Sequence, residues 1–148
     1  MDQHARPRRH QTSRPKPAPA GEEEATDDVK LGEFEGVDTL TLSEANLVIH
    51  ALVAKRRNDR KNFQETEILA QTVDYLDAFA RFKQKENVEA VERLLSSQKQ
   101  LNKFERAQIG SLCCDSAEEA KTLIPSLANK LDDDTLQELL DQMAKLQG

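Results

Sequence analysis

Between Asn102 and Leu127 the chain reads NKFERAQIGSLCCDSAEEAKTLIPSL, with apolar positions recurring at helical spacing in two short runs. Phe104, Ala107 and Leu112, with Ile109 beside them, give the first run a helical face. Asn102 followed by Glu105 three residues on is a capping box, in which each side chain satisfies the other's free backbone N–H. The second run opens on Ser116 with Glu119 at the same offset and carries Ala117, Ala120, Leu123 and Ile124. Pro125 has no N–H and disfavours helix in the residue before it, so that helix should finish at or near Ile124. The two join at Cys114-Asp115. Helices this short are stable only when they bury a face against other helices, which predicts a small all-α bundle.

The rest of the pattern agrees. Asp132, Asp133 and Asp134 stand where a helix N-terminus favours negative charge, followed by Leu136, Leu139, Leu140, Met143 and Leu146 on one face. Asn87 is the expected cap of a helix with Val88, Val91, Leu94 and Leu95 inward, ending near Ser96-Ser97. A further helix is expected from Thr66, with Ile68, Thr72, Tyr75, Leu76, Phe79 and Phe82 on one face. Its Tyr75-Phe79-Phe82 cluster could be a platform for stacking bases, but at this spacing it reads as a core seam.

Upstream the pattern changes. Ser43 is the expected cap of a helix running to about Arg57. Ala45, Val48, Ile49 and Leu52 form its apolar stripe, and Leu47, Ala51 and Val53 widen the stripe around the cylinder. A helix apolar on most of its circumference is buried on more than one side, so one side is expected to meet a second subunit. Between Gly32 and Ser43, Phe34, Val37, Leu40 and Leu42 alternate with Thr39 and Thr41, a short strand signal. A lone strand must find partners for its backbone groups, either on another protein's sheet edge or as a strap over the chain's own helices. The expected partner interface is therefore Phe34, Leu40, Leu42, Leu47, Val48, His50, Ala51 and Val53. His50 enters that set as a packed or edge residue, since no second metal ligand lies at helical spacing from it.

Charge divides the chain. Residues 1–20 carry +4 and residues 21–148 carry −10. The basic, Pro-rich start cannot bury enough apolar surface to offset its ordering entropy and is expected to be a solvated tail, an import signal or a weak electrostatic contact. Glu22 to Asp28 reads as a charged linker. A body at −10 repels phosphates, so it is not expected to be the main reader of nucleic acid. Its basic cluster, Lys55, Arg56, Arg57, Arg60 and Lys61, falls where a helix should end and complements the helix dipole there.

Catalysis finds no foothold. The paired acids sit at helix starts, the five glycines are scattered, and no Ser–His or His/Cys/Asp arrangement recurs. Adjacent Cys113 and Cys114, expected on a helix, point in different directions and are poorly placed to bridge or to clamp a metal. No apolar run approaches the ~20 residues that span a bilayer. No active site, cofactor, metal or membrane contact is expected.

The stretch FERAQIGSLCCDSAEEAKTLIPSLANKLDDDTLQELLDQM, with LSEANLVIHALVAKRR and TVDYLDAFARFK upstream, resembles the polymerase stalk subunits typified by the fourth subunit of eukaryotic RNA polymerase II and its archaeal counterpart. The likeness spans roughly residues 30 to 147. It implies a tail over 1–29, a partner-binding strand and first helix over 30–58, and an HRDC-like helical domain over 59–148. It also implies a nuclear, non-catalytic subunit that forms a stalk heterodimer with the seventh subunit, docks on the polymerase II core, and acts in initiation and in recruiting RNA-processing and termination factors. Any RNA contact is then weak and made through the stalk. The rivals are the paralogous stalk subunit of RNA polymerase III and a free-standing nucleic-acid-binding module. The chain departs from the pattern in its basic tail and in the short linker Arg57–Asn62, where some members carry a long charged insertion.

Overall fold

The computed structural model describes residues 23–60 and 62–147; the expected basic tail lies outside them. Two strands, β1 (Glu24–Ala25) and β2 (Val29–Lys30), pair antiparallel with Glu24 opposite Lys30 and Ala25 opposite Val29. The acidic stretch expected as a linker is thus a minimal hairpin, turned at Thr26-Asp27-Asp28, residues whose side chains favour turns. A 3-10 turn at Gly32–Phe34 follows. Then come six α-helices: α1 (Leu42–Asp59), α2 (Glu67–Phe79), α3 (Lys85–Ser96), α4 (Lys103–Leu112), α5 (Ala117–Leu123) and α6 (Asp133–Ala144).

The bundle is built from α3 to α6. Val88, Val91 and Leu95 of α3, Ile109 of α4, Ala117 and Ala120 of α5, and Leu136, Leu139, Leu140 and Met143 of α6 close one core, with Phe82, Leu101, Ile124, Leu127 and Leu131 from the connections. Each fully buried aliphatic or aromatic side chain here stabilises the fold by about 2 kcal/mol relative to exposure. The caps fall largely where the sequence places them. Asn102 Oδ1 accepts from the Glu105 N–H at 2.7 Å, and Glu105 Oε2 accepts from the Asn102 N–H at 2.9 Å. Ser116 Oγ accepts from the Glu119 N–H at 3.1 Å, and α5 stops at Leu123, before Pro125 opens a 3-10 turn through Asn129.

Several expectations are corrected. Glu105, read only as a cap, is completely buried, and Lys130 Nζ sits 2.8 and 2.9 Å from its two oxygens, compensating the charge. The α4 face is centred on Glu105 and Ile109, so Phe104 and Ala107 are half-buried and Leu112 is exposed. Helix α3 starts at Lys85, with Asn87 already in its first turn. Cys113 lies just past α4 rather than within a helix, in the left-handed region at φ 47°.

The start of α1 also differs. Thr41, not Ser43, caps it, because Thr41 has Glu44 at the capping-box offset whereas Ser43 has Asn46. Ser43 is buried instead, and its Oγ accepts from the Phe82 N–H at 3.1 Å. Ser111 Oγ accepts from the Leu42 N–H at 3.1 Å. Gly110 makes this approach possible: a Cβ there would lie 2.5 Å from Thr41 Cγ2 and 2.9 Å from Leu95 Cδ1. The expected strand does not form between Gly32 and Ser43. Val37 to Leu40 pairs with no strand among the described residues, and Leu42 is the first residue of α1. The segment runs instead as a strap on α4, where Thr39 Oγ1 donates to the Lys103 carbonyl at 2.7 Å and Asp38 pairs with Lys103.

Candidate partner interface

Helices α1 and α2 are mounted on the bundle chiefly by the N-terminus of α1 and otherwise pack against each other. Val53 and Leu76 are the buried apolar side chains of this pair. His50 Nε2 lies 2.8 Å from Asp77 Oδ1, clasping the two helices on an exposed flank. That hydrogen bond, with Lys83 nearby, holds the Asp77 carboxyl below the usual carboxylate range.

With so few neighbours, much of the apolar surface of the pair remains outside. Of the expected interface residues, Phe34, Leu40 and Val48 are exposed, as are His50 and Ala51. Leu42 is half-buried at the helix start, and Leu47 leans partly onto the bundle core. Val53 is a correction. It is only 8% exposed and faces the chain's own interior, because the flank of α1 carrying Asn46, His50 and Val53 is the one that meets α2.

Leu40, Leu47, Val48 and Ala51 come together. They line one side of an open groove of about 470 Å³, closed on the other by Val88 and the stems of Lys85, Glu89 and Glu92 from α3, with Glu44 also lining it. Its walls carry three carboxylates and one ammonium, and Lys85 stands 3.8 Å from Glu89. Phe34 lies apart from this groove.

Sequence reasoning missed the α2 side. Tyr75 and Phe79, read as a core seam, are each 54% exposed, with ring centroids 4.7 Å apart, while Phe82 beyond the helix end is buried. Ile68, Thr72, Tyr75 and Phe79 make one exposed stripe, rotated from the buried Leu76. Val37 and Leu52 are exposed as well. The signal was the width of the apolar set: α2 carries more apolar positions than one neighbouring helix can cover. Contiguous exposed apolar surface is what a candidate interaction site offers.

Other chemistry is sparse. Among the described residues no three His, Cys, Asp or Glu side chains gather to hold a metal ion, and no helix is long and apolar enough to cross a membrane. Burial pushes the Cys113 thiol up to about 11, and that of Cys114 is raised by burial and by Glu119.

The class these observations define is an all-α bundle with a minimal N-terminal hairpin and a first helix pair of exposed apolar character. The family profile described as RNA polymerase Rpb4 matches residues 39–147. A Schizosaccharomyces pombe protein named DNA-directed RNA polymerase II subunit rpb4 is 49% identical over 126 residues, covering 84% of this chain and 92% of the relative. The Saccharomyces cerevisiae protein of the same name is 52% identical over 79 residues, 53% of this chain and 35% of the relative. An Arabidopsis thaliana protein named DNA-directed RNA polymerase II subunit 4 is 29% identical over 130 residues, 83% and 93% respectively. This chain belongs to the RNA polymerase Rpb4 family.

Proposed function

We propose that this chain is a non-catalytic subunit of RNA polymerase II that pairs with the seventh subunit in a stalk heterodimer and works in the nucleus. The observation that carries the pairing is the exposed apolar surface on Leu40, Val48 and Ala51 of the first helical unit, beside a bundle that covers its own core. The names of the relatives support polymerase II over polymerase III. Phe34, Leu40, Leu42, Leu47, Val48, His50 and Ala51 are the proposed contacts, with Tyr75 and Phe79 as candidates added by their exposure. The strap Val37–Leu40 has backbone groups free of any ladder and suits strand addition by the partner. In this role the dimer docks on the polymerase core, acts in initiation, and offers a surface for RNA-processing and termination factors, while the acidic body leaves most RNA contact to other surfaces.

Co-expression with the seventh subunit, followed by size-exclusion chromatography with light scattering, tests the pairing. A 1:1 complex is the expected result. A chain that stays monomeric and ignores the partner would sink the reading while leaving the fold untouched.

A further inference from the structure

A second surface lies on the bundle itself. Helices α3 and α6 meet along a shallow groove of about 490 Å³. Its floor is Leu94 and Leu146, both half-buried and packed on the core, with Ala90 beside them. Arg93 from α3 and Lys145 from the end of α6 stand exposed along it. It shares no residue with the α1–α3 groove.

Its charge sets it apart. No carboxylate lines this groove, although residues 21–148 carry −10 and the α1–α3 groove is walled by three acids. Arg93 and Lys145 form no ion pair with a described residue, as is also true of Lys55, Arg56 and Arg81, and what distinguishes the two is their place beside the apolar floor of a groove. Arg93 lies in the last turn of α3 and Lys145 is the C-cap residue of α6, positions where a cation offsets the partial negative charge of the last carbonyls. That role leaves exposed side chains able to accept a carboxylate from solvent.

We propose that the α3–α6 groove docks an acidic peptide segment of a partner protein, one with a Leu- or Ile-sized side chain set between Asp or Glu residues. The apolar side chain covers Leu94 and Leu146, and the flanking carboxylates take charge-assisted hydrogen bonds from the Arg93 guanidinium and the Lys145 ammonium. A basic occupant meets two cations; an uncharged one leaves both unused. The inference stands on the groove alone and does not depend on pairing with the seventh subunit.

The test titrates the full-length chain into a fluorescein-labelled acidic peptide with leucines between aspartates and glutamates, read by anisotropy. Saturable 1:1 binding is expected, with amide shifts at Leu94 and Leu146 in a ¹⁵N correlation spectrum. The double variant Arg93→Glu/Lys145→Glu, at exposed positions, should weaken binding by about tenfold or more. Lys55→Glu, on α1, should leave it unchanged. The basic N-terminal residues are common to all three proteins, so equal binding by the double variant would trace affinity to them and overturn the proposal. Absence of saturable binding would do the same, as the outcome for cations that only cap their helices. Tight binding of a labelled oligouridylate that the double variant abolishes would reassign the groove to RNA and also overturn it.

Discussion

The two halves of this chain treat apolar residues differently. From Val88 to Met143 nearly every large apolar side chain at helical spacing reaches the core, and Leu112 and Leu123 are the large hydrophobics left exposed there. From Phe34 to Phe79, Phe34, Val37, Leu40, Val48, Leu52, Ile68, Tyr75 and Phe79 all face outward. The helices of the first half are no less well formed, since α1 is the longest among the described residues and has a complete capping box. They differ in how many neighbours they have. A helix held by three others buries its stripe; a pair held mainly by each other leaves half of it to solvent.

Substitutions on either side sharpen that contrast. Val48→Asp should reduce binding of the proposed seventh-subunit partner by a hundredfold or more, on the order of 3 kcal/mol, since it sets an unpaired charge in a desolvated contact. Its melting temperature should stay at that of the parent, because the site is 46% exposed in the lone chain. A folded variant that still binds normally would show that this helix face is not the contact.

In the bundle the prediction is reversed. Leu136→Ala opens a cavity at a side chain with no exposure and should cost about 3 kcal/mol in denaturant unfolding. Partner binding by the remaining folded fraction should be unchanged.

Gly110→Ala probes the joint between the halves. The added methyl would press on Thr41 and Leu95, costing about 1–3 kcal/mol. Thr41 supplies the α1 cap, so hydrogen exchange should rise in the first turn of α1 before it rises in α6. Uniform loosening of all six helices would mean that the joint and the bundle unfold as one unit.

The smallest effect concerns the thiols. Burial raises the Cys113 thiol to about 11, which leaves little thiolate at pH 8. Its alkylation in the native chain should be at least about tenfold slower than in urea, and should accelerate as pH rises toward that value. Equal rates would mean that the α4–α5 corner opens freely.

Much of this was legible in the amino-acid order. The helices, the Asn102–Glu105 box, the stop before Pro125 and the inward leucines of α6 follow from local rules, because capping and periodicity involve residues within one or two turns of each other. The candidate interface was half legible. The excess apolar width of α1 pointed to Leu47, Val48 and Ala51 and the alternation before it to Leu40, and these do converge on one groove, although the strand that singled out Leu40 does not form. Val53 and the Tyr75–Phe79 pair went the other way, since their fate depends on which flank of α1 meets α2.

By itself the sequence determined that the chain is helical, where most helices begin and end, and that the first of them is too apolar for its own domain. Only the tertiary structure decided that Ser43 is buried against the Phe82 N–H, that Val37–Leu40 is a strap on α4, that Glu105 is buried on Lys130, and that the α2 aromatics face outward. The division has a physical cause. Helix starts and periods are set by contacts a few residues apart, whereas burial is set by which faces meet, and that choice is made between residues as distant as Ser43 and Phe82 or Leu42 and Ser111.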